Sequence, residues 1–240
     1  MNKIEELKKI IDESNNIVVF TGAGISVPSG IKDFRSSDGL YVEKYDKIYQ
    51  PEEILSHSFY KKNPEIFFKF YKDAMIHKEA KPNIAHKYFA KLEELGKVKA
   101  VITQNIDSLH QEAGSKLVIE LHGTVASNHC DKCGKYYPLD SIYSSLVPHC
   151  SCGGIIKPDV VLYEESLNYD DMYYASKFIS EADTLIIVGT SLIVEPAATF
   201  CSFFKGKHLV IINKSSTKLD HLALTINDDI VNVIKELERE

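Results

Sequence analysis

No apolar run in the 240-residue chain approaches the roughly 20 residues that a bilayer-spanning helix needs. The N-terminal stretch MNKIEELKKI also lacks the apolar region of a secretory signal, so the expected location is the cytoplasm. A cationic surplus is missing as well: a formal net charge of -6 supplies no broad field for nucleic acid, although a local basic groove stays possible. Cysteine is scarce, with five residues, and in a reducing compartment these do not make a disulfide framework. No linker splits the chain into independent units. The Gly-x-Gly at Gly22-Ala23-Gly24 lacks the third glycine of the dinucleotide fingerprint, because Val27 occupies its place; this argues against a dehydrogenase and leaves an ordinary turn open.

What is present is a soluble-globular composition, 44% hydrophobic and 26% charged, able to bury a sizeable core. Ile17 to Phe20 is a β-branched and aromatic run without charge, the pattern of a strand covered on both faces of a parallel sheet. Residues 25–29 are expected to open a helix whose free N–H groups face a phosphate. An amphipathic helix over 3–13 precedes that strand, and helices follow Gln50-Pro51 and Asn63-Pro64, where Pro suits the first helical position. Further helices are expected at 83–95, capped by Gly96, at 106–113, ended by Gly114, and at 172–180 and 230–237; strands are expected at 98–103, 117–121, 184–188 and 209–212. Alternating strands and helices predict an α/β fold, a Rossmann-like doubly wound parallel sheet with ligands at the carboxyl ends of its strands. Segments 36–83 and 126–159 interrupt the alternation. They are assigned to a smaller inserted lobe, with 1–35, 84–125 and 160–240 forming the larger one.

Four cysteines fall in two close pairs, Cys130/Cys133 and Cys150/Cys152, the second followed by Gly153-Gly154. Two turns that each present two thiolates can hold one tetrahedral Zn(II), and four sulfurs leave no open position, so the site reads as structural. The second pair is one residue short of the usual Cys-x-x-Cys, which leaves His149 as an alternative ligand. Cys201, inside AATFCSFF, reads as a small buried side chain.

Polar clusters follow the strands: Gly22 to Arg35, then Thr103-Gln104-Asn105-Ile106-Asp107, then His122-Gly123. Asn105 and Asp107 suit recognition of an amide and also capping of the helix beginning near Ile106, two roles that are compatible. His122, with a reference pKa near 6.5, is the best general-base candidate. Gly189-Thr190-Ser191 and Asn213 are further phosphate or ribose candidates.

GAGIS at 22–26, GIKDFR at 30–35, TQNID at 103–107, HG at 122–123, the four cysteines, KPDVVLYEE at 157–165, GTSLIVEPA at 189–197 and IN at 212–213 together resemble the sirtuins, NAD-dependent protein deacylases. The resemblance implies that Gly22, Ala23, Gly24, Gly189, Thr190, Ser191 and Asn213 line the pyrophosphate and adenosine part of NAD. It also implies that Gln104, Asn105, Ile106 and Asp107 hold nicotinamide and its ribose. Asp33, Phe34 and Arg35 would order the loop over the cofactor, with Phe34 shielding the reactive ribose carbon. His122 and Asn105 would be catalytic, and one structural Zn(II) would sit on the four cysteines. An acyl-lysine protein or peptide would lie extended between Val160, Val161, Leu162 and Tyr163 on one side and the segment around Val194 on the other. No specific nucleic acid or membrane is implied, and a monomer is expected.

The sequence departs from the family at Lys32, where Pro is usual, at Glu164, where Gly is usual, and in the shortened Cys-x-Cys. Members that remove acidic acyl groups carry a Tyr-x-x-Arg; here Tyr71 matches the tyrosine and Ala74 replaces the arginine, so neutral acyl groups are the expected substrates. ADP-ribosyl transfer to protein and a non-catalytic NAD-binding module are the alternative readings.

Overall fold

The computed structural model describes residues 2–33, 39–40, 45 and 48–239; Phe34 and Arg35 lie outside the described residues. Asn2 starts helix α1 (Lys3–Glu13) with a capping box, accepting from the amides of Ile4 and Glu5 while the Glu5 carboxylate accepts from the Asn2 N–H. Strand β1 (Ile17–Thr21) follows and is buried throughout. Two 3-10 turns, Ala23–Ile25 and Val27–Ser29, replace the helix expected over 25–29. Pro28 has no N–H to continue a ladder, and Gly30, at φ 88°, ends the second turn.

Helices α2 (Pro51–Ile54), α3 (His57–Lys62) and α4 (Pro64–Ala74) fill the insertion, each of α2 and α4 opening on proline. Asn83 caps α5 (Ile84–Glu94), which leads to β2 (Val98–Thr103). Helix α6 (Leu109–Glu112) is shorter than expected because Ser108, at φ 61°, interrupts the helical backbone ahead of it. Strand β3 (Val118–Glu120) precedes a second, antiparallel sheet made of β4 (Gly123–Cys130), β5 (Tyr136–Pro138) and β6 (Ile156–Val160), in the order β5-β4-β6. Capping by Asn168 starts α7 at Tyr169, earlier than Met172, in the helix Tyr169–Glu181. Then come β7 (Thr184–Val188), β8 (His208–Ile212), β9 (Leu224–Ile226) and α8 (Ile230–Leu237).

The main sheet runs β3-β2-β1-β7-β8-β9, with every neighbouring pair parallel. The direction of winding therefore reverses at β1, and the crevice beyond the carboxyl ends of β1 and β7 is the expected ligand site of such a sheet. Alternate residues of β1 feed opposite cores. Val19 packs with Leu7, Phe89 and Val233 under α1, α5 and α8, whereas Val18 and Phe20 pack with Ile179 and Phe200 under α7 and the 3-10 segment Ala197–Phe203. A third core joins Phe67, Phe70 and Tyr71 of α4 to Val125, Ile142, Val160 and Leu162. No helix among the described residues is long and apolar enough to cross a membrane.

Beyond the second sheet the four cysteine sulfurs all lie within 4.8 Å of one another. A Zn–S bond of about 2.3 Å makes the edge of a regular ZnS4 tetrahedron about 3.8 Å. The Sγ–Sγ distances of 3.4 Å for Cys130–Cys152 and 3.7 Å for Cys133–Cys150 fit that edge and are far too long for disulfides. His149 is outside the cluster, its Nδ1 bonded to the Val147 carbonyl at 2.8 Å. The short second turn closes because Gly153 adopts φ 82° and because Gly154 has no Cβ, which would stand 2.6 Å from Cys130 Sγ. Chelation of zinc, or Cys150→Ser, is expected to remove on the order of 10 kcal/mol of local stability and to release protection of the β4–β6 amides, as read by hydrogen exchange.

Candidate active site

The site grows from three chain crossings at the carboxyl end of the main sheet. After β1, the Gly22 N–H donates to the Val188 carbonyl at 3.0 Å, and the Gly24 N–H donates to the Gly189 carbonyl at 2.8 Å. The two backbones are so close that a Cβ on Gly24 would stand 2.7 Å from Gly189 Cα, and one on Gly22 would stand 2.7 Å from Thr190 Cβ. Gly189 itself has φ 62°. The result is a side-chain-free cradle at the switch point, which fits the pyrophosphate of a dinucleotide.

After β2 the chain turns through Gln104 and Asn105. The Gln104 N–H donates to the Thr21 carbonyl at 2.9 Å, and its side-chain amide donates to Thr190 Oγ1 at 3.0 Å, linking this turn to both walls of the cradle. Asn105 is buried, and its Nδ2 donates to the Gly22 carbonyl and to Ser26 Oγ, each at 3.1 Å. Both protons of that amide are thus used within the protein, so Oδ1 is the group that Asn105 offers to a ligand. Ser26 Oγ in turn donates to Asp107 Oδ2 at 2.6 Å. Asp107 Oδ1 accepts from the Leu109 N–H at 2.9 Å, satisfying the first free amide of α6 from the position before its N-cap, Ser108; Asn105 makes no such bond. Burial pushes the Asp107 carboxyl up, and its bonds from Ser26 and Leu109 act the other way. Ser26 joins the site although the sequence pattern does not single it out; its signal is a hydroxyl two residues after the glycine turn, inside GAGIS.

After β3, Leu121 pairs with Thr103 and the chain reaches His122. A carbonyl can only accept, so the 2.9 Å contact between His122 Nδ1 and the Gln104 carbonyl places the proton on Nδ1 and leaves Nε2 bare. Burial pulls the His122 pKa down, partly opposed by that hydrogen bond. The His122 carbonyl accepts from the Val161 N–H at 2.8 Å, which joins the expected base to the segment expected to carry substrate. Gly123, at φ 73°, is required next, because a Cβ there would collide with the Asp159 carbonyl of β6.

Val160 and Leu162 are buried in the third core, Val161 is half-buried and Tyr163 is exposed. Ile106, half-buried, packs against the same core. Glu164 has φ 74°, the left-handed backbone that glycine adopts freely; its carboxylate accepts from the Ser58 N–H and hydroxyl at 2.8 and 2.9 Å, in the first turn of α3. Ala23, Ser191 and Val194 are half-buried around the cradle loops, and Asn213 lies at the end of β8 with its Nδ2 donating to the Ser215 carbonyl at 2.8 Å. Asp33 accepts the Leu40 N–H at its carbonyl, 2.8 Å away.

A family model described as Sir2 family matches residues 22–196. The NAD-dependent protein deacetylase of Clostridium perfringens is 56% identical, over 97% of this chain and 97% of that protein. That of Clostridium tetani is 53% identical, over 100% of this chain and 99% of its own length. Among solved structures, a Sir2 protein with a deacetylated p53 peptide and 3'-O-acetyl-ADP-ribose superposes with a TM-score of 0.89 at 40% identity, covering 98% of this chain and 97% of that one. With its glycine cradle, its Asn105–Ser26–Asp107 chain and these relatives along its whole length, the chain belongs to the Sir2 family.

Proposed function

We propose that this protein is an NAD-dependent protein-lysine deacetylase that transfers the acyl group of acyl-lysine to ADP-ribose and releases nicotinamide and free lysine. The observation that carries the reading is a bare, tautomer-fixed His122 Nε2 held on the same turn network as the Gly22/Gly24/Gly189 cradle.

NAD supplies a ribose carbon made electrophilic by its cationic nicotinamide leaving group, which an acyl oxygen can attack when water is kept away. The chain's own groups suit that step. Asn105 presents an acceptor, Oδ1, to an amide N–H or a ribose hydroxyl, and its orientation is locked by Gly22 and Ser26. His122 Nε2 is the group able to take a ribose hydroxyl proton, and a lowered pKa keeps it unprotonated at neutral pH. Gly22, Ala23, Gly24, Gly189, Thr190, Ser191 and Asn213 line the remainder of the dinucleotide path, and Asp33, Phe34 and Arg35 contribute to NAD binding in this reading. Gln104 and Ile106 complete the nicotinamide side.

The acyl-lysine peptide runs along Val160–Tyr163 opposite Val194, where main-chain pairing demands little of its sequence. The larger lobe comprises 1–35, 84–125 and 160–240, and the smaller one 36–83 and 126–159, with the peptide entering between them. We place the protein in the cytoplasm, acting as a monomer without nucleic acid or membrane.

Purified protein incubated with an acetyl-lysine peptide and NAD is expected to yield deacetylated peptide and O-acetyl-ADP-ribose by mass spectrometry, and His122→Ala is expected to lower kcat/KM by about 10²–10⁴-fold. ADP-ribose attached to protein instead would overturn the reading. Because His122 must be neutral to act and burial lowers its pKa, the acid limb of the kcat/KM profile should fall below the ordinary histidine value near 6.5, with full activity above it. Ala74 offers no cation to a carboxylate tail, so acetyl-lysine should exceed succinyl-lysine by about 10²-fold in kcat/KM, and equal efficiencies would refute that preference.

A further inference from the structure

Two histidines that the chemistry does not use are buried beneath the site. His86 lies in the first turn of α5 and His110 on α6, with 0% and 1% of their surface exposed and ring centroids 4.8 Å apart. Their protons can be placed by elimination. Thr21 Oγ1 donates its only hydrogen to Thr103 Oγ1 at 2.8 Å, so toward His110 Nε2, 3.1 Å away, it can only accept. His110 therefore carries its proton on Nε2 and has a bare Nδ1. His86 Nδ1 accepts from the Asn83 N–H at 3.3 Å, which puts the His86 proton on Nε2. The two ring nitrogens left without partners, His86 Nε2 and His110 Nδ1, are thus one donor and one acceptor on neighbouring rings, with polarity matched for a bridge through one buried water. Burial pushes His86 down to about 4 and lowers His110 as well, so both rings stay neutral and keep this polarity.

The relay ends in the cofactor pocket. Thr103 Oγ1 also accepts the Asn105 N–H, at 3.0 Å. At its other end, Asn83 donates from Nδ2 to the Ile25 carbonyl at 2.8 Å and to Ser29 Oγ at 2.9 Å, holding the 3-10 turns beside the cradle. We propose that His110 is a positioning residue of the nicotinamide side: its Nε2–H, passed through the hydroxyls of Thr21 and Thr103, fixes the backbone of Asn105 and so the aim of Asn105 Oδ1. Without that donor, the Thr21 hydroxyl loses the neighbour that orients it and its hold on Thr103 weakens. A ring that merely filled space would not need a nitrogen at that point. The assignment rests on the reading of Asn105 as a nicotinamide-side ligand.

The test compares His110→Phe, which keeps the ring and removes the donor, with His110→Gln, whose amide N–H reaches the Nε2 position. In His110→Phe the KM for NAD and the inhibition constant for nicotinamide should each rise about five- to tenfold, the worth of one buried hydrogen bond, while the KM for acetyl-lysine peptide stays within about twofold. The Asn105 amide in the ligand-free protein should exchange faster by a similar factor. His110→Gln should restore both. Should His110→Phe fail to fold, Thr21→Val breaks the same relay and is read in the same way. Unchanged NAD KM and unchanged Asn105 exchange would overturn the proposal, as would a His110→Gln protein that behaves like His110→Phe. A wild-type protein that turns over no NAD would refute the deacetylase reading alone, because the amide-exchange arm still decides the role of His110.

Discussion

The contact on which the rest of the molecule depends is between two backbones. The loops after β1 and β7 cross at the reversal of the sheet, tied by Gly22 to Val188 and Gly24 to Gly189. No side chain fits between them, and this is what keeps the crossing clear of side chains at the crevice. Parallel pairing of β1 with β7 sets the height of this crossing, because Thr21 faces Val188 at the last rung. The glycines are thus consequences of the sheet order: strands whose connections depart in opposite directions bring their first loop residues together.

From that crossing the order of the site passes through single hydrogen bonds rather than through bulk packing. Gln104 reaches Thr190, its carbonyl receives His122, and the His122 carbonyl receives Val161. These bonds put the Gly189–Thr190 loop, Gln104, His122 and Val161 in one frame. Glu164 illustrates the tension in that frame. Its left-handed backbone suits glycine better, yet its carboxylate ties the substrate segment to the first turn of α3.

The larger sheet was readable in the sequence because β1, β2, β7 and β8 are nearly continuous apolar runs, the mark of strands covered on both faces. Gly96 and Gly114, at φ 73° and 108°, marked helix ends for the same local reason. The antiparallel sheet was not readable. Strand β4 mixes buried and exposed positions without strict alternation, and β5 is almost wholly exposed, so neither carries a period. The helix expected from residue 25 and the early start of α6 failed on backbone conformations, at Pro28 and Ser108, that hydrophobic pattern does not encode. In the site, the polar clusters after the strands do converge. What the sequence could not show is which proton each residue spends inside the protein, and that decides Asn105, Ser26 and the buried histidines.

The base of the zinc-bearing excursion is closed before the metal is reached. Gly123 pairs with Val160, and the next rung joins His122 to Val161, so the two ends of segment 124–159 are held side by side where the antiparallel sheet begins. Its inner face is fixed by the core it shares with α4, whereas its outer loops face away from that core. Doubling the length of chain between fixed ends adds only about 0.6 kcal/mol of closure entropy, so the loops joining its strands can lengthen, shorten or be traded between relatives. His122 keeps its place throughout, and new outer surfaces for recognising proteins can be acquired without rebuilding the chemistry beneath them.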